Sequence, residues 1–263
     1  MRICTRFMIV AVAAMMFSPV LSHADIVTAT SQADARLITE PSGNRDDNNG
    51  GNTSSGRLIG TNNGLVNNFL IQDFSNLSAA LSGTVVSSAT VTVETAPNIP
   101  PNAGSAQDFI VLNEIAIGNI GWIAGNGAIG GGDNPADDGS VSYLYQSTFA
   151  GPSGNASTAW VDSSGAAVAN VTGAFTAVDT ISGYTANPGS ITFTVNQATA
   201  QGWIDNGLAG LALSAVNADG NNLSRFNFGP ASTFQINFHA VPEPSTGLLM
   251  AVLACAGVVR RRR

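Results

Sequence analysis

Apolar and polar residues alternate in four stretches of the chain. Alternation with a period of two, carried by β-branched and aromatic side chains, predicts half-buried β-strands. The apolar positions are Ala89, Val91 and Val93; Val141, Tyr143 and Tyr145; Ile191, Phe193 and Val195; and Phe234, Ile236 and Phe238. One face of each strand is therefore expected to lie in a core and the other to face solvent.

Three further stretches, residues 69–74, 109–117 and 208–216, are almost continuously apolar and predict interior strands. Helical periodicity is rare in this sequence. Its best example, residues 197–204, predicts a short helix that buries Trp203 and ends before Asn206 and Gly207.

Seven or more strands separated by turn clusters predict an all-β protein. We expect the body, residues 64–240, to be an antiparallel β-sandwich of the jelly-roll or Ig-like kind. Residues 25–63 are rich in Asn, Gly, Ser and Asp, most of all at 46–52. That composition predicts a loop or a loosely ordered lead-in before the body.

Residues 1–24 have the pattern of a secretory signal peptide. Arg2 and Arg6 precede an apolar run at 7–17, and the small residues Ser22 and Ala24 mark a cleavage site after Ala24. The alternative is an N-terminal anchor helix, but the apolar run is well short of the roughly 20 residues that a membrane span needs.

Residues 247–259 are apolar or small and precede Arg260, Arg261, Arg262 and Arg263. A helix of this run is about 20 Å long, shorter than the roughly 30 Å hydrocarbon core. With Ser245 and Thr246 it predicts a short transmembrane helix at 245–259, which spans if the bilayer thins or the arginines snorkel. The positive-inside rule assigns the four arginines to the cytoplasmic side, as a stop.

Val241, Pro242, Glu243 and Pro244 stand before this helix. The prolines exclude a helix here, so an extended peptide is expected just outside the bilayer. A Pro-Glu-Pro segment at 241–246, an apolar helix and a basic tail at 260–263 together resemble the PEP-CTERM sorting signal. The resemblance implies export in a Gram-negative bacterium that makes exopolysaccharide. It also implies an exosortase, a membrane cysteine protease of transpeptidase type, which cuts near Pro-Glu-Pro and releases or re-attaches the body.

The body resembles a second family, the DNRLRE-type surface domain, over residues 60–238, with a poorly matching middle at 97–189. The resemblance is carried first by 68–77 (NFLIQDFSNL) and 86–93 (VSSATVTV), then by 193–195, Trp203, 206–207, 211–213, 225–228 and 232–234. It implies a β-sandwich of secreted, wall-associated proteins, related in shape to carbohydrate-binding modules, and it brings no catalytic residues.

Charge excludes one class of partner. The sequence has no lysine, and between residues 25 and 241 four arginines stand against sixteen acidic residues. Nucleic-acid binding needs clustered Lys or Arg, so an acidic body of this kind is not expected to bind nucleic acid. Cys4 and Cys255 both lie in the terminal segments, so a processed body would have no disulfide and no cysteine-based metal site.

Little in the sequence points to catalysis. His239, the one histidine of the body, falls on the polar face of the last predicted strand. No Gly-x-Ser-x-Gly motif occurs. A glycosidase would need two paired carboxylates, and nothing in the sequence pairs the candidates Asp73, Glu94, Asp108 and Glu114. We therefore expect no enzymatic activity.

Two features suggest ligand binding. Asn217, Asp219 and Asn221 carry oxygen side chains at alternate positions around a glycine, as in part of a calcium loop. The closing bidentate Glu is missing, an ordinary turn has the same composition, and 133–138 is a second acidic, Gly-flanked loop. Trp160 borders a loop and is the best candidate for a sugar-stacking platform, although packing in the core or at its rim is the commoner role of such a residue.

Together these patterns predict an exported, acidic β-sandwich protein with a structural or adhesive role in exopolysaccharide or biofilm. Calcium is the one cofactor considered, and the expected partners are the exosortase, the membrane before processing, and exopolysaccharide. One alternative is a carbohydrate-binding module, which exposed coplanar aromatic side chains would favour and an absence of exposed tryptophan would count against. The other is a hydrolase, which a surface cleft with two carboxylates about 5–10 Å apart would favour.

Overall fold

The computed structural model describes residues 26–30, 34–39, 47–50, 57–61, 67–94, 109–124, 138–149, 155–182, 190–216, 225–228 and 234–241. Its strands, in chain order, are β1 (Ile26–Thr30), β2 (Asp34–Thr39), β3 (Asp47–Gly50), β4 (Arg57–Thr61), β5 (Asn67–Gln72), β6 (Val86–Glu94), β7 (Phe109–Ile115), β8 (Tyr145–Ser147), β9 (Thr158–Val161), β10 (Ala167–Val168), β11 (Phe175–Ser182), β12 (Ser190–Val195), β13 (Gly210–Val216), β14 (Arg225–Phe228) and β15 (Gln235–Ala240). The helices are α1 (Leu77–Ala80), α2 (Gln197–Asn206) and two 3₁₀ turns, Ile117–Asn119 and Val171–Ala174.

The strands form three antiparallel sheets, which confirms the all-β prediction. The first sheet has the order β1-β15-β6-β12. The second sheet has eight strands. Six of them have the order β11-β7-β13-β5-β2-β3; of the other two, β4 pairs with β5 and β14 pairs with β4. The third is small and has the order β10-β9-β8.

A large core joins the first sheet to the second. The alternating residues of β6, β12 and β15 pack there against Ile110, Leu112, Leu211 and Leu213 of the second sheet. Phe193, Phe234 and Phe238 are completely buried in this core. Three of the four alternating patterns thus form half-buried strands as predicted, because the side chains at every second position face the opposing sheet.

A second core covers the other face of the eight-stranded sheet. Ile71 and Ala212 of this sheet pack there against Trp160 of β9 and Val171 of the second 3₁₀ turn. The interior strands β5, β7 and β13 are the three that were predicted from continuous apolar runs. Such runs are expected where both faces of a strand are covered.

The fourth alternating pattern, at Val141, Tyr143 and Tyr145, does not form the predicted strand. The backbone turns at Ser142, whose N–H donates to the carbonyl of Tyr145 at 2.8 Å. The Ser142 hydroxyl also accepts from the Tyr145 N–H at 3.0 Å. This local turn competes with extended pairing, and only Tyr145–Ser147 remains a strand.

The predicted lead-in at 25–63 is also wrong in part, because it contains four strands. β1 pairs with β15, β2 with β5, β3 with β2 and β4 with β5. Ladder hydrogen bonds join main-chain groups, so a segment rich in Asn and Gly can pair when a strand edge is available beside it.

Candidate functional site

The described part of the body ends at Val241, directly after strand β15. β15 pairs with β6, and its register shifts between His239 and Ala240, so that Ala240 lies opposite Val86. The Val241 N–H then donates to the carbonyl of Val85 at 2.7 Å. A register irregularity of this kind ends regular pairing and redirects the strand. Val241 is thus held beside β6 by a main-chain hydrogen bond, and residues 242–263 lie outside the described part of the chain.

The first strand lies beside the last one. β1 pairs antiparallel with β15, and Ile26 is opposite His239. Ala24, the predicted end of the signal peptide, lies outside the described residues, but it is only two residues before Ile26. Ile26 and Val241 therefore lie at the same end of the first sheet.

Both α-helices lie at this end, where they connect the first and second sheets. α1 leads from β5 to β6, and α2 leads from β12 to β13. Leu77 of α1 and Ala200, Trp203 and Ile204 of α2 belong to the large core. The helices therefore close this end of the core.

Two glutamines of α2 hold the beginning of β6 next to Val241. The Gln201 Oε1 accepts from the Val86 N–H at 3.0 Å, and its Nε2 donates to the Thr84 carbonyl at 3.2 Å. Gln197 Nε2 donates to the Val86 carbonyl at 3.2 Å. Sequence reasoning missed both residues. Their i, i+4 spacing places them on one helix face, but the sequence contains no signal for the strand that they contact.

Residues 240–263 match the family model of the PEP-CTERM protein-sorting motif. The chain carries this sorting motif. The match confirms the resemblance of the tail to the PEP-CTERM sorting signal. It shows an exported protein that is sorted by an exosortase, which is a membrane protein. A search of curated proteins found no match to the chain.

The body presents the first residues of the PEP-CTERM motif on its last strand. Of the four predicted sorting residues, Val241 is described, whereas Pro242, Glu243 and Pro244 lie outside the described residues, as do the predicted transmembrane helix and Arg260–Arg263. Within the described ranges, no helix combines the length and the apolar character that crossing a bilayer requires. The roles assigned to these residues therefore stay predictions.

Trp160 does not fit its predicted role as a sugar platform. Its side chain has an exposed fraction of 0%, and its Nε1 donates to the Ser142 carbonyl at 3.1 Å. The ring fills the second core because the 138–149 segment and β10 cover β9. Trp122 and Trp203 are also buried, and Trp203 lies in the helix and core that the sequence predicted.

The predicted calcium residues Asn217, Asp219 and Asn221 lie outside the described residues. So does most of the second acidic loop, of which only Asp138 is described. Among the described side chains, no three His, Cys, Asp or Glu residues come together in a way that could hold a metal ion. Calcium binding therefore stays a prediction.

Two of the candidate carboxylates make structural hydrogen bonds. Glu114 Oε2 accepts from Trp203 Nε1 at 2.7 Å, which ties β7 to α2. Asp73 Oδ1 accepts from the Ser75 N–H at 2.8 Å in the turn before α1. Asp108 lies outside the described residues. Trp203 and Glu114 were each singled out in the sequence, but only the packing of α2 on the sheets brings them together.

Asp162 is a carboxylate in the turn between β9 and β10 that accepts several hydrogen bonds. Its Oδ1 accepts from the Ser164 hydroxyl at 2.6 Å and from the Ser164 and Ala166 N–H groups at 2.8 and 3.0 Å. These hydrogen bonds, led by the Ser164 hydroxyl, lower the pKa of Asp162 because they favour its charged form. The interaction closes the turn between β9 and β10, so its role is structural.

Proposed function

We propose that this chain is the precursor of an acidic surface or matrix protein, whose folded β-body an exosortase cuts free or re-attaches near Pro242, Glu243 and Pro244. The observation that carries the proposal is the position of the motif relative to the last described strand. The PEP-CTERM motif begins where the last strand ends, so the body can be complete while the sorting segment remains outside it.

A structural or adhesive role in exopolysaccharide is supported by the character of the body. The antiparallel sheets pack around two hydrophobic cores, and the acidic excess of the sequence favours solubility after release. An absence of exposed tryptophan counts against the carbohydrate-binding alternative. Because Trp122, Trp160 and Trp203 are at most 4% exposed, we do not favour it.

Mass spectrometry of the terminal peptides tests the processing. Protein from the membrane and from the medium of native cells would be compared, with and without the exosortase gene. We expect a form that begins at Asp25 and ends near Pro242 in the wild type, and a chain that retains Arg263 in the membrane of the mutant. A chain retaining Arg263 in the membrane of both strains would refute the proposal.

A complementation experiment tests the matrix role. Cells that lack this protein would receive either the full chain or a chain that stops after Val241. The cohesion of the matrix and the fraction of the protein bound to exopolysaccharide would be measured. We expect the full chain to restore matrix cohesion. The same cohesion in cells with and without the protein would contradict a structural role there.

A further inference from the structure

Large apolar side chains are exposed at one end of the body. Within the described residues these are Val85 at 56%, Ile117 at 42%, Ile120 at 46%, Ile123 at 63% and Val241 at 39%. We call these five residues the proximal face. An exposed apolar cluster of this kind often marks a surface that contacts a membrane or another protein.

Strand register places the proximal face at the end where the chain leaves the body. Val85 accepts the backbone hydrogen bond of Val241. On the second sheet, β7 ends at Ile115 opposite Gly210, the first residue of β13, and the segment with Ile117, Ile120 and Ile123 follows. A Cβ on Gly207, just after α2, would lie 3.1 Å from Ile117 Cδ1 and 3.6 Å from the Ser78 hydroxyl of α1. The helices thus connect the two parts of this face.

The length of chain between Val241 and the apolar run limits the distance between the proximal face and the membrane. The apolar run starts at Gly247, six residues later, and six extended residues span at most about 21 Å. The headgroup layer on one side of the hydrocarbon core is about 5–8 Å thick, so crossing it takes up part of this span of about 21 Å. While the tail is in the membrane, the proximal face is therefore within a short reach of the lipid surface.

The chain segments that contribute the proximal face carry no charge of their own, which favours lipid contact. One exposed carboxylate lies beside them, Asp205 of α2, which accepts from Gln201 Nε2 at 2.9 Å. Residues 76–93 and 115–132 contain no charged side chain, although the body has sixteen acidic residues. An acidic surface would be repelled by anionic headgroups, and bringing a charge to the bilayer interface costs desolvation energy. The segments nearest the tail avoid both costs, while aliphatic side chains gain from leaving water.

We propose that the proximal face rests on the outer surface of the inner membrane before exosortase cleavage, with Ile117, Ile120 and Ile123 in the headgroup region. This rests on the proposed function, because the tail must be inserted. The contact orients the precursor so that Pro242, Glu243 and Pro244 stay beside the bilayer, where a membrane protease can reach them. Cleavage removes the tail, and the uncharged contact alone is too small to retain the body.

Single-cysteine proteins test this orientation. The full chain would carry Cys4→Ser and one site for an environment-sensitive fluorophore. The three sites are native Cys255 in the tail, Ile120→Cys on the proximal face, and Ser190→Cys as the control; Cys255→Ser accompanies the last two. Ser190 is exposed and pairs with Glu94 at the far end of the first sheet. Each protein would be reconstituted in phosphatidylethanolamine and phosphatidylcholine vesicles, with and without brominated acyl chains.

We expect bromolipid to cause a loss of emission at positions 255 and 120 but not at 190. A loss at 255 alone would show that the tail inserts but that the face does not touch lipid, which overturns this inference and leaves the proposed function intact. No loss at 255 would refute both. Protection of position 120 only after exosortase is added to the vesicles would show that the protease, and not lipid, covers the face, and would also overturn the inference.

Discussion

Two buried side-chain amides differ in what surrounds them. Asn119 is completely buried, and its Nδ2 donates to the carbonyls of Ala116 and Val161 at 2.9 and 2.8 Å. Its Oδ1 accepts from the Val161 N–H at 2.9 Å, so it joins the first 3₁₀ turn to β9. Gln72 is also completely buried, but neither atom of its amide has a hydrogen-bond partner. Burial without a partner costs free energy, whereas a fully paired amide stabilises the fold.

Substitution of these two residues should therefore have opposite effects. Gln72→Met keeps the side-chain volume and removes an unpaired amide, so we expect the free energy of unfolding to rise by about 1–3 kcal/mol. Asn119→Leu leaves buried main-chain groups unpaired, and the free energy of unfolding should fall by about 1–3 kcal/mol. Urea denaturation measures both values. A loss of stability in Gln72→Met would show that its amide has a role that the burial does not explain.

Asp162 makes a prediction about pH. Because hydrogen bonds lower its pKa in the folded state, its contribution to stability is present above the ordinary pKa of Asp and is lost as the pH falls through the lowered value. In Asp162→Asn this pH dependence should be absent, so the stability difference from the wild type should shrink in acid. Carboxyl chemical shifts followed by NMR give the pKa directly. An Asp162 midpoint at or above the ordinary value would contradict the hydrogen bonding described here.

At the scale of elements, α2 shows how local signals and contacts combine. The Asn196 side chain accepts from the Thr199 N–H at 2.9 Å and caps the helix start. At the other end, Gly207 donates its N–H to the Trp203 carbonyl at 3.1 Å. Gly207 has φ +92° and ψ 170°, a conformation essentially limited to glycine. Both ends of the helix are therefore determined by residues next to it in the sequence, Asn196 at the start and Gly207 at the end.

Two glycines of this helix region provide a matched pair of variants. Gly207→Ala should lower the free energy of unfolding by about 1–3 kcal/mol, because its φ disfavours a side chain and the new Cβ would lie 3.1 Å from Ile117 Cδ1. Gly202→Ala lies inside the helix with its nearest neighbour at 4.0 Å, and it should raise stability by about 0.5–1 kcal/mol. Thermal unfolding of both variants tests this, and equal effects would argue against the backbone conformation at Gly207.

At the scale of the whole molecule, the pairing of β1 with β15 brings the two ends of the body together. Any membrane attachment through either terminal segment therefore acts at the same end of the sandwich. The opposite end, where Glu94 pairs with Ser190 and Val216 pairs with Phe109, then points away from the bilayer. This is the end that we expect to meet the extracellular matrix.

The four arginines of the tail should determine whether a membrane-held precursor exists. Changing Arg260, Arg261, Arg262 and Arg263 to Asn removes the positive charge that the positive-inside rule assigns to the cytoplasmic side, so we expect loss of the precursor from the inner-membrane fraction. Changing all four to Lys keeps the positive charge and should preserve the precursor in the inner-membrane fraction. Cell fractionation and immunoblotting compare the two variants. Equal precursor levels in both would show that the apolar run alone holds the tail.

The sequence by itself determined the elements whose signal is local. Three alternating strands, three interior strands, helix α2 with buried Trp203, and the sorting motif were all predicted from the residues, because periodicity, capping and motif order are properties of neighbouring positions. The all-β class followed from these elements.

Only the tertiary structure decided the features that depend on distant partners. β1, β2 and β4 form because strands of later segments pair with them, and β3 then pairs with β2. The turn at Ser142 replaces an equally well-patterned strand. Trp160 is buried because β10 and the 138–149 segment cover it, which its own neighbours do not reveal. The proximal face exists because Val85, Val241 and the isoleucines after β7 are brought to one end by strand register. Main-chain pairing and coverage are properties of the assembled sheets, and no single segment of the sequence records them.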